Sequence, residues 1–411
     1  AYYSWKKIAN TLDVLSPSDY AKWQYELAML KNSNDPTSYN DYFGQYADMD
    51  MYGSIAGNDW QDLTFGRIGH TFNHNLSVTG GSEQIKYSFN YAHMNDKAIM
   101  EGSNYKRDNF SLKLNTKPTK NTTLDFSVRY SETDINGGGA QDVSSTYDSD
   151  KRLKYSVIFS PIPSKDLDAS AGSADDDLGN LYNPIESIYE NDRAQERKTL
   201  NMNASFGWEI FKNFKVKAEV GYDDYRNNDN RFWGATTYYV KNVPSSENQG
   251  LPAIQIANTS RHSFRSTNTI SYDFSDLFSD KRHHLNAMAG HEWIQTKSNK
   301  LTTVVHAFPK TFTAQQAWKL STLGQAYSIE NYLNPDNKLL SYFGRINYDF
   351  DSKYLVSATF RADGSSKFAK GNQWGYFPSA AVAWRVSSEP FMENTQNWLD
   401  DLKLRFSYGT A

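Results

Sequence analysis

Residues 214–222 read FKVKAEVGY, and every second one is apolar: Phe214, Val216, Ala218, Val220 and Tyr222. Lys215, Lys217, Glu219 and Gly221 stand between them. A strand turns successive side chains to opposite faces, so this segment has one oily face and one charged face. The same period recurs in LSV (76–78), IKYSFNYA (85–92), FSLKLN (110–115), LDFSVRY (124–130), LNMNASFGWEI (200–210) and TISYDF (269–274). It returns in LNAMAGHEW (285–293), YFGRINYDF (342–350), YLVSATFRA (354–362), AAVAWRV (380–386) and LKLRFSY (402–408). These are twelve strands, and Ala1–Trp5 reads as the tail of a thirteenth. With their flanks several run about nine to eleven residues, whereas strands in soluble sandwiches average about five or six.

The links between them alternate in length. NTKPTKN (115–121), FKN (211–213), SDLFSDKRH (275–283) and DS (351–352) are short, while 133–197, 227–260 and 296–338 are long. Tight turns at one end and large loops at the other are the pattern of an up-and-down membrane barrel. Mean hydropathy is −0.72, and no apolar run approaches the ~18 residues of a membrane helix. A helical membrane protein is excluded; a barrel is not, because only one face of each strand must be apolar. Aromatics make up 15% of the 411 residues and crowd the short-turn ends. Trp208, Phe214, Tyr272, Phe274, Tyr348, Phe350 and Tyr354 are the expected interfacial belt.

The expected fold is therefore all-β, an antiparallel transmembrane barrel with long extracellular loops and one or two loop helices, forming a single barrel domain over 1–411. Thirteen alternating strands begin and end in the same direction, so the set cannot close by itself. An internal piece of a larger barrel is the expectation, and a start at Ala1 fits a mature protein or an excised fragment. Segment 16–30 predicts a helix with Ser16 as N-cap, Pro17 at its first position, Asp19 completing a capping box, and Leu27 and Leu30 on one side. A second short helix is expected near 58–65. Segment 133–180, rich in Gly, Ser and Asp, reads as a mobile loop.

In a barrel, Arg129, Lys215, Lys217, Glu219, Arg345, Arg361, Arg385, Lys403 and Arg405 would line a wet lumen and hold a plug by ion pairs. A net charge of −4 provides no basic footprint for nucleic acid. The absence of cysteine removes disulfides, thiolate zinc sites and thiol catalysis. No catalytic signature such as G-x-S-x-G or H-E-x-x-H is present, so an enzyme is not expected.

Several motifs invite a ligand. RADGSSKFAKGNQWGYFP (361–378) reads as a structural loop with Asp363-Gly364 as a turn pair and Trp374 and Tyr376 as interfacial anchors; a ligand loop is the alternative. His283-His284 reads as a solvated turn rather than a metal site, because adjacent strand residues point apart. DDDLGN (175–180) lacks the carboxylate that completes a calcium loop, although an extracellular calcium site built with other loops is a second reading. No other cofactor is expected and no metal ligand set is assigned. The best substrate contacts are loop aromatics, Trp233, Tyr238, Tyr239 and Trp318, with Trp374: flat rings stack on sugars, while packing between loops or on a partner is the competing role.

Residues 339–391 (LLSYFGRINYDFDSKYLVSATFRADGSSKFAKGNQWGYFPSAAVAWRVSSEPF), followed by WLDDLKLRFSYG (398–409), resemble the SusC/RagA family of TonB-dependent outer-membrane transporters. NDWQDLTF (58–65), the stretch 73–115 and TLDVLSPSDYAKWQYE (11–26) are similar to it as well. The resemblance implies a 22-stranded barrel with an N-terminal plug, energised by TonB–ExbB–ExbD through an N-terminal box, and a SusD-like lipoprotein as partner. It implies import of glycans, or in some members oligopeptides, across the outer membrane of a Gram-negative bacterium of the Bacteroidota. The plug, box and C-terminal strands are not within this sequence. A secreted all-β glycan-binding module or enzyme, and a passive porin, are the rival classes.

Overall fold

The computed structural model describes residues 1–31, 39–40, 43, 46–137, 152–162, 183–235, 237, 239–240, 250–395 and 397–410. Thirteen strands account for most of them: β1 Tyr2–Lys6, β2 Gly69–Gly81, β3 Ile85–Lys97, β4 Asn104–Thr119, β5 Thr122–Asn136, β6 Asn191–Phe211, β7 Phe214–Trp233, β8 Ala253–Asp273, β9 His283–His306, β10 Gln325–Phe350, β11 Tyr354–Ser365, β12 Trp374–Arg385 and β13 Lys403–Gly409. They form one antiparallel sheet in sequence order, and β1 and β13 do not pair with each other. All twelve alternating segments match strands, three of them overrunning by one residue at Phe274, Val386 and Leu402, and Ala1–Trp5 leads into β1. No helix among the described residues is long and apolar enough to cross a membrane.

Directly paired residues share a face, so the register can be followed across the sheet. One row runs Tyr87, Leu114, Phe126, Ala204 and Val220; the next runs Phe89, Leu112, Val128, Met202, Tyr222 and Phe264. These stretches are apolar, yet Phe126, Phe206, Val220, Ile270, Val356, Phe360 and Phe406 on the same face are exposed. A soluble sheet would bury them against a second layer. The chain has only this one sheet among its described residues, so the apolar face is the one suited to hydrocarbon.

The apolar band slides along the strands. The row of Ile85, at the foot of β3, passes through Leu124, Ala218 and Tyr342 and reaches Ala362 on β11, eight residues above that strand's foot at Tyr354. Eight residues of offset over eight strand steps, at about 3.3 Å per residue and about 4.8 Å per strand, give a tilt of about 35°. Barrels close at about 35–45°, so the offset keeps the band level in a flat bilayer while the strands lean.

Strands β6 to β10 have 20 to 26 residues, longer than the alternation alone suggests. An apolar band is only about 25 Å tall. Beyond it both faces are wet, so the ladder continues while the two-residue period dissolves. The segments 133–136, 191–197, 227–233, 253–260, 296–306 and 325–338, expected as loop, are strand for this reason. At the other end the turns are tight: Asn213, Asp351 and Ser352 take φ of 70°, 54° and 55°, a conformation that short polar side chains tolerate.

Among the described residues the long loops carry the α-helices α1 Pro17–Lys31, α2 Trp60–Phe65, α3 Arg152–Ile158, α4 Pro184–Glu190 and α5 Ala314–Lys319. Ser16 Oγ accepts from Asp19 N at 3.1 Å and donates to the Asp19 carboxylate at 2.7 Å, as a cap should. The buried side of α1 is Tyr20, Ala21, Gln24 and Ala28, while Leu30 is 83% exposed; spacing alone pointed to the wrong edge of the stripe. In α2, Asp59 caps Gln61 N and Asp62 N, and Trp60 Nε1 donates to Ser160 O at 2.7 Å, docking the first loop on the β5–β6 loop.

Two turn assignments are corrected. Asp363-Gly364 lies inside β11, with Gly364 opposite Trp374. A Cβ there would meet the Trp374 ring at 2.9 Å, so the glycine makes room for the indole rather than for a bend. His283 and His284 begin β9 instead of a solvated turn: His283 Nδ1 meets Tyr348 Oη at 2.7 Å, and His284 is on the opposite face, paired with Asp349.

The two faces predict unequal tolerance. In the full-length protein, Val128→Arg, on the apolar face, should destabilise the folded state by about 2–4 kcal/mol, and Arg129→Gln, on the polar face, by less than about 1 kcal/mol. Denaturant titration of folding into lipid vesicles measures both; equal costs would refute the assignment of faces.

Candidate functional site

All nine polar candidates fall on the face opposite the apolar rows, and their charges are stratified. Lys215 and Arg345 share one row, Lys217 and Arg361 the next. Above them four carboxylates, Asp125, Glu219, Glu292 and Asp363, stand in a single row across β5 to β11. The flanking rows supply their partners. Arg361 reaches Glu292 at 3.0 Å, Asp363 at 2.8 Å and the buried Ser341 hydroxyl at 2.9 Å. Glu219 is held by Lys217 at 3.0 Å and Arg265 at 3.6 Å. Asp125 accepts from Asn115 and Ser205. Arg345 donates to Thr359, Arg385 pairs with Asp401, and Lys403 lies opposite Arg385. Arg405 opens onto a concavity of 540 Å³ near the short turns.

A second concavity on this face, 680 Å³, lies further toward the long loops. Arg107, Arg129 and Arg197 line it with Tyr105, Tyr225 and Asn109. A third, 730 Å³, is on the outer face, where Ala287, Ala289, Gly344 and Ala358 stand between Ile270, Ile346 and Phe360. It belongs to the apolar band and holds no chemistry.

The aromatic candidates divide. Trp233 stacks on Tyr239 with centroids 4.2 Å apart, and Tyr239 Oη meets His306 Nε2 at 3.0 Å. His306 in turn stacks on Tyr327. Trp318 Nε1 donates to Arg231 O and its ring packs on the small loop core of Phe232, Ile254, Val305 and Phe308. These rings knit the β7–β8 and β9–β10 loops together. Trp374 lies on the apolar face, stacked on Tyr342, away from the polar rows. Tyr238 and DDDLGN (175–180) are outside the described residues.

The seven belt candidates all lie on the apolar face at the short-turn end. Phe214 meets Phe211 at 4.8 Å and Tyr272 at 6.4 Å, Tyr272 meets Phe274 at 4.5 Å, and Phe350 meets Tyr354 at 6.4 Å. Trp208 extends this face beside Val216. The hydroxyl of Tyr354 and the indole N–H of Trp384 both donate to Glu389, holding its carboxyl below the ordinary range. Sequence reading missed an upper girdle: Tyr91, Tyr130, Tyr222, Phe264 and Trp293 mark the opposite edge of the band. On β7 the edges, Phe214 and Tyr222, are eight residues apart, about 20 Å of thickness in a tilted strand. A polar tip on an apolar ring was the available signal.

Just beyond that girdle the outer face carries Glu132, Asp134 and Glu196 close together. Lys198 bridges Glu132 and Glu196 at 3.3 and 2.5 Å, so an ammonium already occupies two of the three carboxylates.

The comparisons agree with this geometry. The chain is 24% identical to the TonB-dependent receptor SusC of Bacteroides thetaiotaomicron over 95% of its length. It is also 24% identical to a TonB-dependent receptor of Formosa agariphila over all of it. The structure of the RagAB peptide transporter superposes on 99% of the chain with a TM-score of 0.71 at 19% identity. The chain is thus similar in sequence to TonB-dependent receptors, SusC among them, and shares its fold with the RagAB transporter. No protein-family model matches it. The chain spans 38% of the length of SusC and 46% of the RagAB chain.

One short turn of this barrel is tied by a carboxylate fork. Arg282 donates through Nε and Nη2 to Asp280, at 3.0 and 2.7 Å, and its backbone N–H donates too. These bonds hold the Asp280 carboxyl down to about 2. A depressed folded value stabilises above the unfolded value near 3.9, and that contribution is lost as pH falls through about 2. Arg282→Gln should return the Asp280 midpoint toward 3.8, read by carboxyl-carbon NMR titration; an unmoved midpoint would refute the fork.

Proposed function

We propose that the parent protein imports glycans across the outer membrane of a Gram-negative bacterium of the Bacteroidota. Import is TonB-dependent and runs together with a SusD-like surface lipoprotein. One observation carries this reading: an exposed apolar face, edged by aromatics at both ends, backs a hydrogen-bonding polar face on a tilted antiparallel sheet. A secreted module would cover its apolar face with a second sheet. A passive porin would have no need of the receptor relatives' TonB dependence, and those relatives are named receptors rather than enzymes.

In this reading the chain's apolar face holds it in lipid, and the polar face lines the route. Its rows are rich in amide and hydroxyl side chains: one holds Ser77, Asn90, Ser111, Asn201, Ser263 and Thr296, with Arg129 and Asp223 among them. Such groups donate and accept at once, matching the hydroxyls of a sugar. TonB–ExbB–ExbD would act through a plug and N-terminal box supplied elsewhere in the parent. The calcium reading of 175–180 rests with the extracellular loops, and no other cofactor is proposed. Oligopeptide import is the second reading, favoured by the structural likeness to RagAB, which is described as a peptide transporter.

Titration of the purified full-length complex with glycan and peptide libraries tests the choice. Binding of glycans and not peptides is expected; binding of peptides alone would overturn it. A parent protein that stays dispersed in buffer without detergent would overturn the membrane assignment altogether.

A further inference from the structure

The charge on the polar face is balanced at one level and not at another. In the acidic row and its neighbours each carboxylate has a cation or amide partner, as described above. Two steps nearer the long loops, three successive rows cross β2 to β9. They carry Arg129, Arg261, Arg107, Arg197 and Lys300. The carboxylate among the described residues of those rows is Asp223 alone, and it accepts from Asn201. On the outer face at the same level the cations have carboxylate partners: Lys106 has Asp108 at 3.7 Å, Lys198 two glutamates, and Arg226 Asp224 at 3.1 Å. The excess is therefore particular to the inward surface.

These cations surround a formed concavity. Arg107, Arg129 and Arg197 line its 680 Å³, a size in the range of ligand pockets, about 300–1,000 Å³. Arg107 Nε is oriented by Asn109 at 2.9 Å and Ser131 at 3.3 Å, and Arg197 Nη2 by Gln195 at 2.7 Å. Those neutral partners leave the positive charge uncompensated. Arg261 lies over the Tyr225 ring at 5.6 Å, and Tyr225 and Tyr105 present rings to the same space. Guanidinium forks match planar and tetrahedral oxyanions bidentately, rings stack on sugar faces, and Asn90 and Asn109 suit hydroxyls. The pocket is level with and above the upper girdle, with Thr133 three residues beyond Tyr130. A solute arriving from the long-loop side meets it early.

We propose that this pocket selects anionic cargo: saccharides bearing carboxylate or sulfate groups. The inference deepens the glycan reading and rests on it. The test uses the full-length transporter with its lipoprotein partner and two matched ligand pairs. One pair is oligogalacturonate and its methyl ester; the other is a sulfated carrageenan oligosaccharide and its desulfated form. Each pair shares a backbone and differs in charge, and the two arms separate carboxylate from sulfate. Calorimetry should show at least one anionic member binding about tenfold tighter than its neutral counterpart, with the gap narrowing as salt rises. Arg107→Gln/Arg129→Gln/Arg197→Gln should close that gap, the anionic member losing more affinity than its neutral counterpart. The corresponding triple lysine variant, a control for folding and charge, should keep part of it.

Equal affinity within both pairs, with saccharides bound, would overturn the inference while the glycan reading survives. So would a gap that persists in the glutamine variant. Binding of acidic peptides and of no saccharide would overturn both. A glutamine variant that makes cells leaky without changing selectivity would assign the arginines to the plug and overturn the inference.

Discussion

Hydrocarbon offers no partner to a backbone amide, so every strand that crosses it must satisfy its N–H and C=O groups on its neighbours. This requirement organises the chain. It explains why thirteen strands pair strictly in sequence order, since adjacent antiparallel strands joined by short turns meet it with the least loop. The lean follows from closure, because strands of a barrel must tilt, and the tilt moves the apolar band by about one residue per strand. Side chains then have two surroundings only, and each strand must alternate between them as long as it is in the bilayer. Outside the bilayer the pairing survives and the alternation does not.

That division explains what was legible. The strand bodies, their order and the direction of each could be read because lipid imposes a period of two. Strand ends toward the loops could not: Asn227–Trp233 and Thr296–His306 pair fully yet carry polar residues on both faces. Asp363-Gly364 resembled a turn because turn and strand glycine look alike until a neighbour such as Trp374 is known to lie across from it. Leu30 followed helical spacing to a solvent-facing position because the core under α1 is built from Tyr39, Phe43 and Met49, which local spacing does not reveal. The loop aromatics were visible individually, but the stack of Trp233 on Tyr239 joins a strand end to a helical turn across the loop. Arg107, Arg197 and Arg261 are ordinary surface charges in sequence and become neighbours only through the register.

The short-turn end shows how the boundary is anchored. Tyr354 and Trp384 face each other across β11 and β12, apolar rings toward the band and polar tips toward Glu389 in the following turn. Asp280 and Arg282 close the β8–β9 turn, and the Arg282 guanidinium also lies over Phe350 at 5.2 Å. Rings of this kind are stable where one side is greasy and the other wet. Lys212 and Lys281 both reach Asp276 in the same region. The turn residues therefore fix the depth of the apolar rows as well as the direction of the chain.

The inner face is released from these demands. Its side chains need only be compatible with water and with one another, so they can change while the outer face keeps its pattern. A fold shared at a TM-score of 0.71 with 19% identity is compatible with lipid constraining the character of alternate residues rather than their identity. A paired acidic row is what solubility and rigidity in the lumen require, and it occupies the level of the apolar band. An unpaired cationic surface confers neither; like charges repel across a few ångströms unless something negative lies between them. It begins at the level of the upper girdle and continues where the strands outrun the band, so side chains there can change with little disturbance to the apolar rows below.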